Sequence, residues 1–122
     1  MSDSTITIAD LKERVRVFCE SREWDVYHDA KDLAIGIITE ASELLEHFRF
    51  KTQAEAETLM NDKNARTLVS DEIADVTFFL VRLCQKYNFD LTTALDAKIE
   101  KNEIRYPVDK AKGSNKKYTE LQ

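Results

Sequence analysis

Breakers of regular structure are scarce in this chain: two glycines and one proline among 122 residues. That excludes the turn-rich patterning of sandwiches and barrels and favours long helices joined by short loops. Only two cysteines are present, Cys19 and Cys84, each inside an apolar helical stretch. They read as buried free thiols, and without a disulfide framework the chain suits a reducing, cytoplasmic setting. No apolar run approaches the roughly 20 residues of a membrane span. The opening Met1–Thr5 is polar and acidic, unlike a signal or transit peptide. An excess of positive charge is also missing. The net charge is −5 and no basic patch is evident, which argues against nucleic acid as a partner.

What is present is ordinary for a globular protein: 43% hydrophobic and 34% charged residues. The length predicts one domain over residues 1–122, with 1–6 and about 108–122 as flexible termini. Apolar periodicity predicts four helices. The first spans Ile8 to Glu23 behind a Thr7/Asp10 capping box, and the second spans Lys31 to Phe48 with Asp29 or Asp32 near its start. The third spans Ala65 to Tyr87, and the fourth begins after Asp90 or Thr92 and runs to Arg105, before Pro107. Residues 51–63 read as a loop with a short helical piece around Glu55 to Met60.

Two acidic motifs stand out, Glu40-Ala-Ser-Glu43 and Glu72-Ile-Ala-Asp75. Each sets two carboxylates at i and i+3, neighbours on one helix face. On the second helix Gly36, Glu40, Glu43 and His47 fall on a stripe beside the apolar face; on the third, Leu68, Glu72, Asp75 and Phe79 do the same. One such pair alone is usually solvated surface. Two pairs, each embedded in strong apolar sequence, concentrate like charge where helices pack, and a cation relieves that repulsion. The donors are all oxygens, which suits Mg²⁺, with Mn²⁺ as a substitute. A di-iron bundle would want Glu-x-x-His; His47 lies four residues after Glu43, and the second motif has no histidine.

Lys98, Asn102 and Arg105 share a face of the fourth helix, and Lys110, Lys112, Lys116 and Lys117 make the tail basic. The single Trp24 sits with Tyr27 and His28 in a break between helices. From residues alone these remain open between ligand contact and ordinary surface or packing.

Taken together, the elements resemble a known family. Glu40-x-x-Glu43 followed by Glu72-x-x-Asp75 resembles the signature of the all-α, MazG-type nucleoside triphosphate pyrophosphohydrolases. Arg22-Glu-Trp24, His28, the run Glu40 to Phe48, Lys51, the run Lys98 to Pro107, Lys112-Gly-Ser114 and Lys117-Tyr-Thr119 resemble its dCTP pyrophosphatase branch. The resemblance implies a four-helix bundle that pairs into homodimers or homotetramers, and hydrolysis of dCTP or a modified dCTP to monophosphate and pyrophosphate. It implies Glu40, Glu43, Glu72 and Asp75 as catalytic metal ligands; one of these, or a nearby carboxylate such as Glu46 or Asp71, is left to orient the attacking water. Lys98, Asn102, Arg105, Tyr106, Lys112, Lys117 and Tyr118 become the phosphate side. Trp24, His28, Phe50 and Phe79 become the base side. Phe50 stands where close relatives carry a second Trp, and Phe79 where they carry a Tyr. These departures keep dUTP, dTTP or a broad set of non-canonical triphosphates open as substrates. A reading of another class, a non-catalytic helical interaction module, is also compatible with the helices.

Overall fold

The structure is a computed structural model and describes residues 1–121. Helix boundaries are set by side-chain caps. Helix α1 (Ile8–Glu20) carries the expected capping box: the Asp10 amide donates to Thr7 Oγ1 (3.1 Å) and the Thr7 amide to Asp10 Oδ2 (2.9 Å). Helix α2 (Ala30–Glu46) starts where the Asp29 carboxylate accepts from the Asp32 amide at 2.7 Å. Thr52 caps α3 (Gln53–Asn61), Asp62 caps α4 (Lys63–Lys86) and Asp90 caps α5 (Leu91–Arg105). Beyond Pro107 lies the short α6 (Val108–Ala111). Two single 3-10 turns complete the described secondary structure, Trp24–Tyr27 and Tyr118–Glu120.

The protein is therefore all-α, with no strand among the described residues. The expected four helices are corrected to six. The segment read as a loop with a short helical piece is a full helix, α3, because Thr52 and Asp62 fix its two boundaries and its Gln, Ala and Glu residues are strong helix formers. It lacks a wide apolar stripe, and its packing against α4 supplies what periodicity did not show. The first helix ends three residues earlier than expected, since Glu23 adopts a left-handed backbone (φ 54°).

Two units divide the chain. In the first, Met1–Asn88, α4 is the central helix and packs against α2, α1 and α3. Cys19, Leu33, Val69 and Val81 form its buried apolar core. Half of the apolar face expected for α2 stays open: Leu33 is buried, but Ile38 is 69% and Leu45 59% exposed. On α4, Leu68 and Ile73 are exposed too. Both cysteines are free; Cys19 is buried and Cys84 half-buried. The second unit, from Phe89 onward, holds α5, α6 and the Tyr118 turn.

Candidate metal and nucleotide site

The two stripes read from the sequence face each other along the α2–α4 contact. Gly36 of α2 lies against the ring of Phe79: a Cβ on Gly36 would stand 2.6 Å from Phe79 Cδ1. At the other end His47 Nε2 lies 3.4 Å from Glu72 Oε1. Between these contacts Glu40, Glu43 and Glu72 each bring a carboxylate oxygen within 4.8 Å of the other two. Glu40 and Glu72 are half-buried and Glu43 is exposed. Asp75, one turn along α4 from Glu72, is exposed and stands outside this trio, though its charge still acts on Glu40. The four-carboxylate pocket thus resolves into a close trio with a fourth carboxylate at longer range.

Like charge is concentrated on Glu40. Glu40 holds its proton above the usual carboxylate range, first through desolvation, then through a hydrogen bond with Glu43 and the charges of Glu43, Asp75 and Glu72. A half-buried carboxylate whose charge is disfavoured by its carboxylate neighbours gains from a cation. The donor chemistry is oxygen throughout, with His47 already directed at Glu72, so a hard divalent ion fits better than zinc or copper.

A row of aromatic rings begins beside this cluster. Phe79 meets Phe78 (5.5 Å), Phe78 meets Phe18 (5.8 Å), and Phe18 meets Trp24 (5.6 Å), all edge to face. His28 lies 6.1 Å from Trp24 at the far end. Three of the four expected base-side residues are thereby brought together. Phe50 is not among them: it is 91% exposed, left-handed (φ 65°), and covered only by the Arg49 guanidinium 4.5 Å above its ring.

Of the expected phosphate-side residues, the second unit gathers three. Arg105 stacks over the Tyr118 ring at 4.8 Å, and Tyr106 meets the same ring edge-on at 6.0 Å. The Asn102 carbonyl accepts the Tyr106 amide at 2.8 Å, while Lys98, Lys112 and Lys117 are exposed, Lys117 directly preceding Tyr118. The Lys117 amide donates to the Glu120 carboxylate at 3.1 Å.

Sequence reasoning missed Arg82. It is 1% exposed, the one charged residue in the buried set, and donates to Asp25, His28 and Gln85. A signal was available: a lone arginine inside Phe78-Phe-Leu-Val-Arg-Leu-Cys84 must find partners if that stretch is buried.

A model of the MazG-like family matches residues 35–121, which includes both acidic motifs. The chain belongs to the MazG-like family. Among its relatives, dCTP pyrophosphatase 1 of Homo sapiens and that of Rattus norvegicus are each 32% identical over 115 residues, 94% of this chain and 68% of theirs. The crystal structure of a pyrophosphatase from Archaeoglobus fulgidus superposes with a TM-score of 0.78 at 33% identity, over 88% of this chain and 98% of that one. The resemblance read from the motifs is borne out, and so is the all-helical fold.

Proposed function

We propose that this MazG-like chain hydrolyses dCTP or a modified dCTP to the monophosphate and pyrophosphate, with Mg²⁺ held by the α2–α4 carboxylates. The coarser statement, a nucleoside triphosphate pyrophosphatase, rests on the relatives in both the sequence and the structure comparisons. The observation that carries the finer one is the adjacency in one unit of an all-oxygen carboxylate trio and an aromatic row. A metal–triphosphate and a flat base are the two ends of one ligand, and the two features suit those ends.

Glu40, Glu43 and Glu72 would hold the ion, with Asp75 as the fourth carboxylate. Bound Mg²⁺ would supply neutralisation and polarisation of phosphate oxygens. His47 orients Glu72, as a ring nitrogen at 3.4 Å from a ligating carboxylate does in outer shells of metal sites. Water must attack at phosphorus, and a carboxylate positions it. Glu46 is engaged with Arg49 at 3.1 Å, which leaves Asp71 or a member of the cluster for that task. Lys98, Asn102, Arg105, Tyr106, Lys112, Lys117 and Tyr118 take the phosphates, and Trp24, His28, Phe50 and Phe79 the base. Copies pair through the exposed Ile38, Leu45, Leu68 and Ile73 as a homodimer or homotetramer. The whole chain acts as one domain in the cytoplasm, without nucleic acid or membrane as partner. Among the described residues no helix is long and apolar enough to cross a membrane.

A panel of deoxynucleoside triphosphates ranked by kcat/KM tests the substrate. dCTP and modified dCTP are expected to lead. A ranking led by dUTP or dTTP would move the assignment to those bases, since Phe79 offers no hydroxyl for polar discrimination.

A second expectation follows from Glu40. A raised carboxylate pKa means that a proton competes with the metal at a higher pH than at an ordinary glutamate. The stabilisation of the fold by Mg²⁺ should therefore shrink as pH falls toward the carboxylate range, and begin to do so at a higher pH than an ordinary glutamate would cause. The metal-free protein should move in the opposite direction locally. Ionised Glu40 disfavours the folded state above its folded pKa, and the penalty fades as pH falls through that value toward the unfolded one. Thermal melts with and without Mg²⁺ across this range read both, and a Mg²⁺ shift independent of pH would remove Glu40 from the site.

A further inference from the structure

The segment that carries Trp24 has almost no core of its own. None of the residues of its 3-10 turn, Trp24–Tyr27, is buried; Val26 and Tyr27 face solvent, and Trp24 is 37% exposed. The segment is entered through the left-handed Glu23. Its conformation is held by two cations from α4, one helical turn apart. Arg82 donates Nε–H to His28 Nδ1 (3.1 Å), one terminal nitrogen to the Asp25 carboxylate, and the other to Gln85 Oε1 (2.5 Å). Lys86 Nζ donates to the main-chain carbonyls of Asp25 (2.7 Å) and His28 (2.5 Å). Both ends of the segment are gripped from the same helix.

Burying a guanidinium is costly, and apolar residues of similar volume commonly stabilise a core as well or better. The cluster gives a defined geometry instead. A guanidinium only donates, so Nδ1 of His28 must accept. The neutral ring then carries its proton on Nε2. A second proton would set two donors face to face. The surroundings agree: burial first, then Arg82 and Lys86, push the His28 pKa down, against the opposing charges of Asp25 in its own segment and Asp32 of α2.

We propose that Arg82 and Lys86 are positioning residues for nucleotide binding, which clamp the Trp24–His28 segment and fix His28 as an Nε2–H donor for an acceptor atom of the base. This rests on the reading of Trp24 and His28 as base-side residues. It adds that His28 binds as a donor in a fixed tautomer and is no general base, and that the α4 contacts to Asp25 and His28 hold Trp24 in place together with its packing on Phe18.

The test uses the full chain and two kinds of readout. In the free protein, ¹⁵N shifts of the His28 ring should report an unprotonated Nδ1 and a protonated Nε2. Lys86→Met should leave the helical content intact and make the fluorescence of Trp24, the only tryptophan, more accessible to acrylamide. Arg82→Met should raise the His28 pKa; if it fails to fold, Arg82→Lys, which keeps the charge but loses the fork, takes its place. In turnover, loss of one charge-assisted contact at the clamp should raise KM for dCTP about tenfold with kcat largely retained. An Nδ1–H tautomer in the wild type, or unchanged quenching and KM in folded Lys86→Met, overturns the proposal. If the wild type releases no pyrophosphate from any nucleotide, the function is wrong, and the tautomer and quenching results still decide whether the clamp exists.

Discussion

Glu43→Gln is expected to remove nearly all metal-dependent pyrophosphate release while making the metal-free protein slightly more stable. The two effects have one cause. Glu43 is the most exposed member of the trio and shares a close approach with Glu40 and Glu72. The amide keeps the shape and deletes one negative charge. Relief of like-charge repulsion at this spacing is worth a few tenths of a kcal/mol, a rise in Tm of about 1–2 °C. A bound divalent ion contributes several kcal/mol of charge stabilisation in the transition state. At about 1.4 kcal/mol per tenfold, weakening its hold should cost about a hundredfold or more in kcat/KM. Thermal melting in EDTA and a pyrophosphate assay on the same preparation measure both. A variant that loses stability together with activity would show Glu43 to be structural, and one that keeps activity would move the metal elsewhere.

Gly36→Ala should disturb the site from outside the charged groups. The added methyl would sit 2.6, 2.7 and 2.9 Å from Phe79 Cδ1, Cε1 and Cγ. These are ring atoms close to the α4 backbone, so the helices or the ring must shift. Alanine gains about 1 kcal/mol of helix propensity over glycine, while overpacking costs about 1–3 kcal/mol. The net effect on stability is a loss of up to about 2 kcal/mol. The effect on turnover is larger, because Gly36 lies one turn from Glu40 and a displacement of about 1 Å can cost about a hundredfold. In a Phe79→Ala background the same substitution should become stabilising, since only the propensity gain remains. A double-mutant cycle by urea unfolding should give a coupling of about 1–3 kcal/mol. Additivity would show that the glycine does not make room for Phe79.

Much of this site was legible because helical periodicity is local. Gly36, Glu40, Glu43 and His47 share one stripe and Leu68, Glu72, Asp75 and Phe79 another, both predictable at about 100° per residue. The structure joins them through Gly36 against Phe79 and His47 against Glu72. Which carboxylates come closest was not legible, since helix rotation and stagger decide that Asp75 stands outside the trio. Arg82 escaped because its partners, Asp25 and His28, are remote in sequence, where spacing rules of three and four residues do not reach. Helix α3 was underestimated for lack of an apolar stripe, although its caps, Thr52 and Asp62, stood in the sequence. Phe50 matched a base-side position by sequence, yet stands exposed in the turn after α2 and makes none of the ring contacts of the aromatic row.

The proposed function requires that the α2–α4 carboxylates hold a divalent ion needed for release of pyrophosphate from a nucleoside triphosphate. Phosphorus NMR of dCTP hydrolysis by the purified protein, with Mg²⁺ and with EDTA, tests it most directly. The expected result is dCMP and pyrophosphate as the sole products with Mg²⁺, and no turnover with EDTA. Orthophosphate and dCDP as first products, or equal turnover with EDTA, would contradict it.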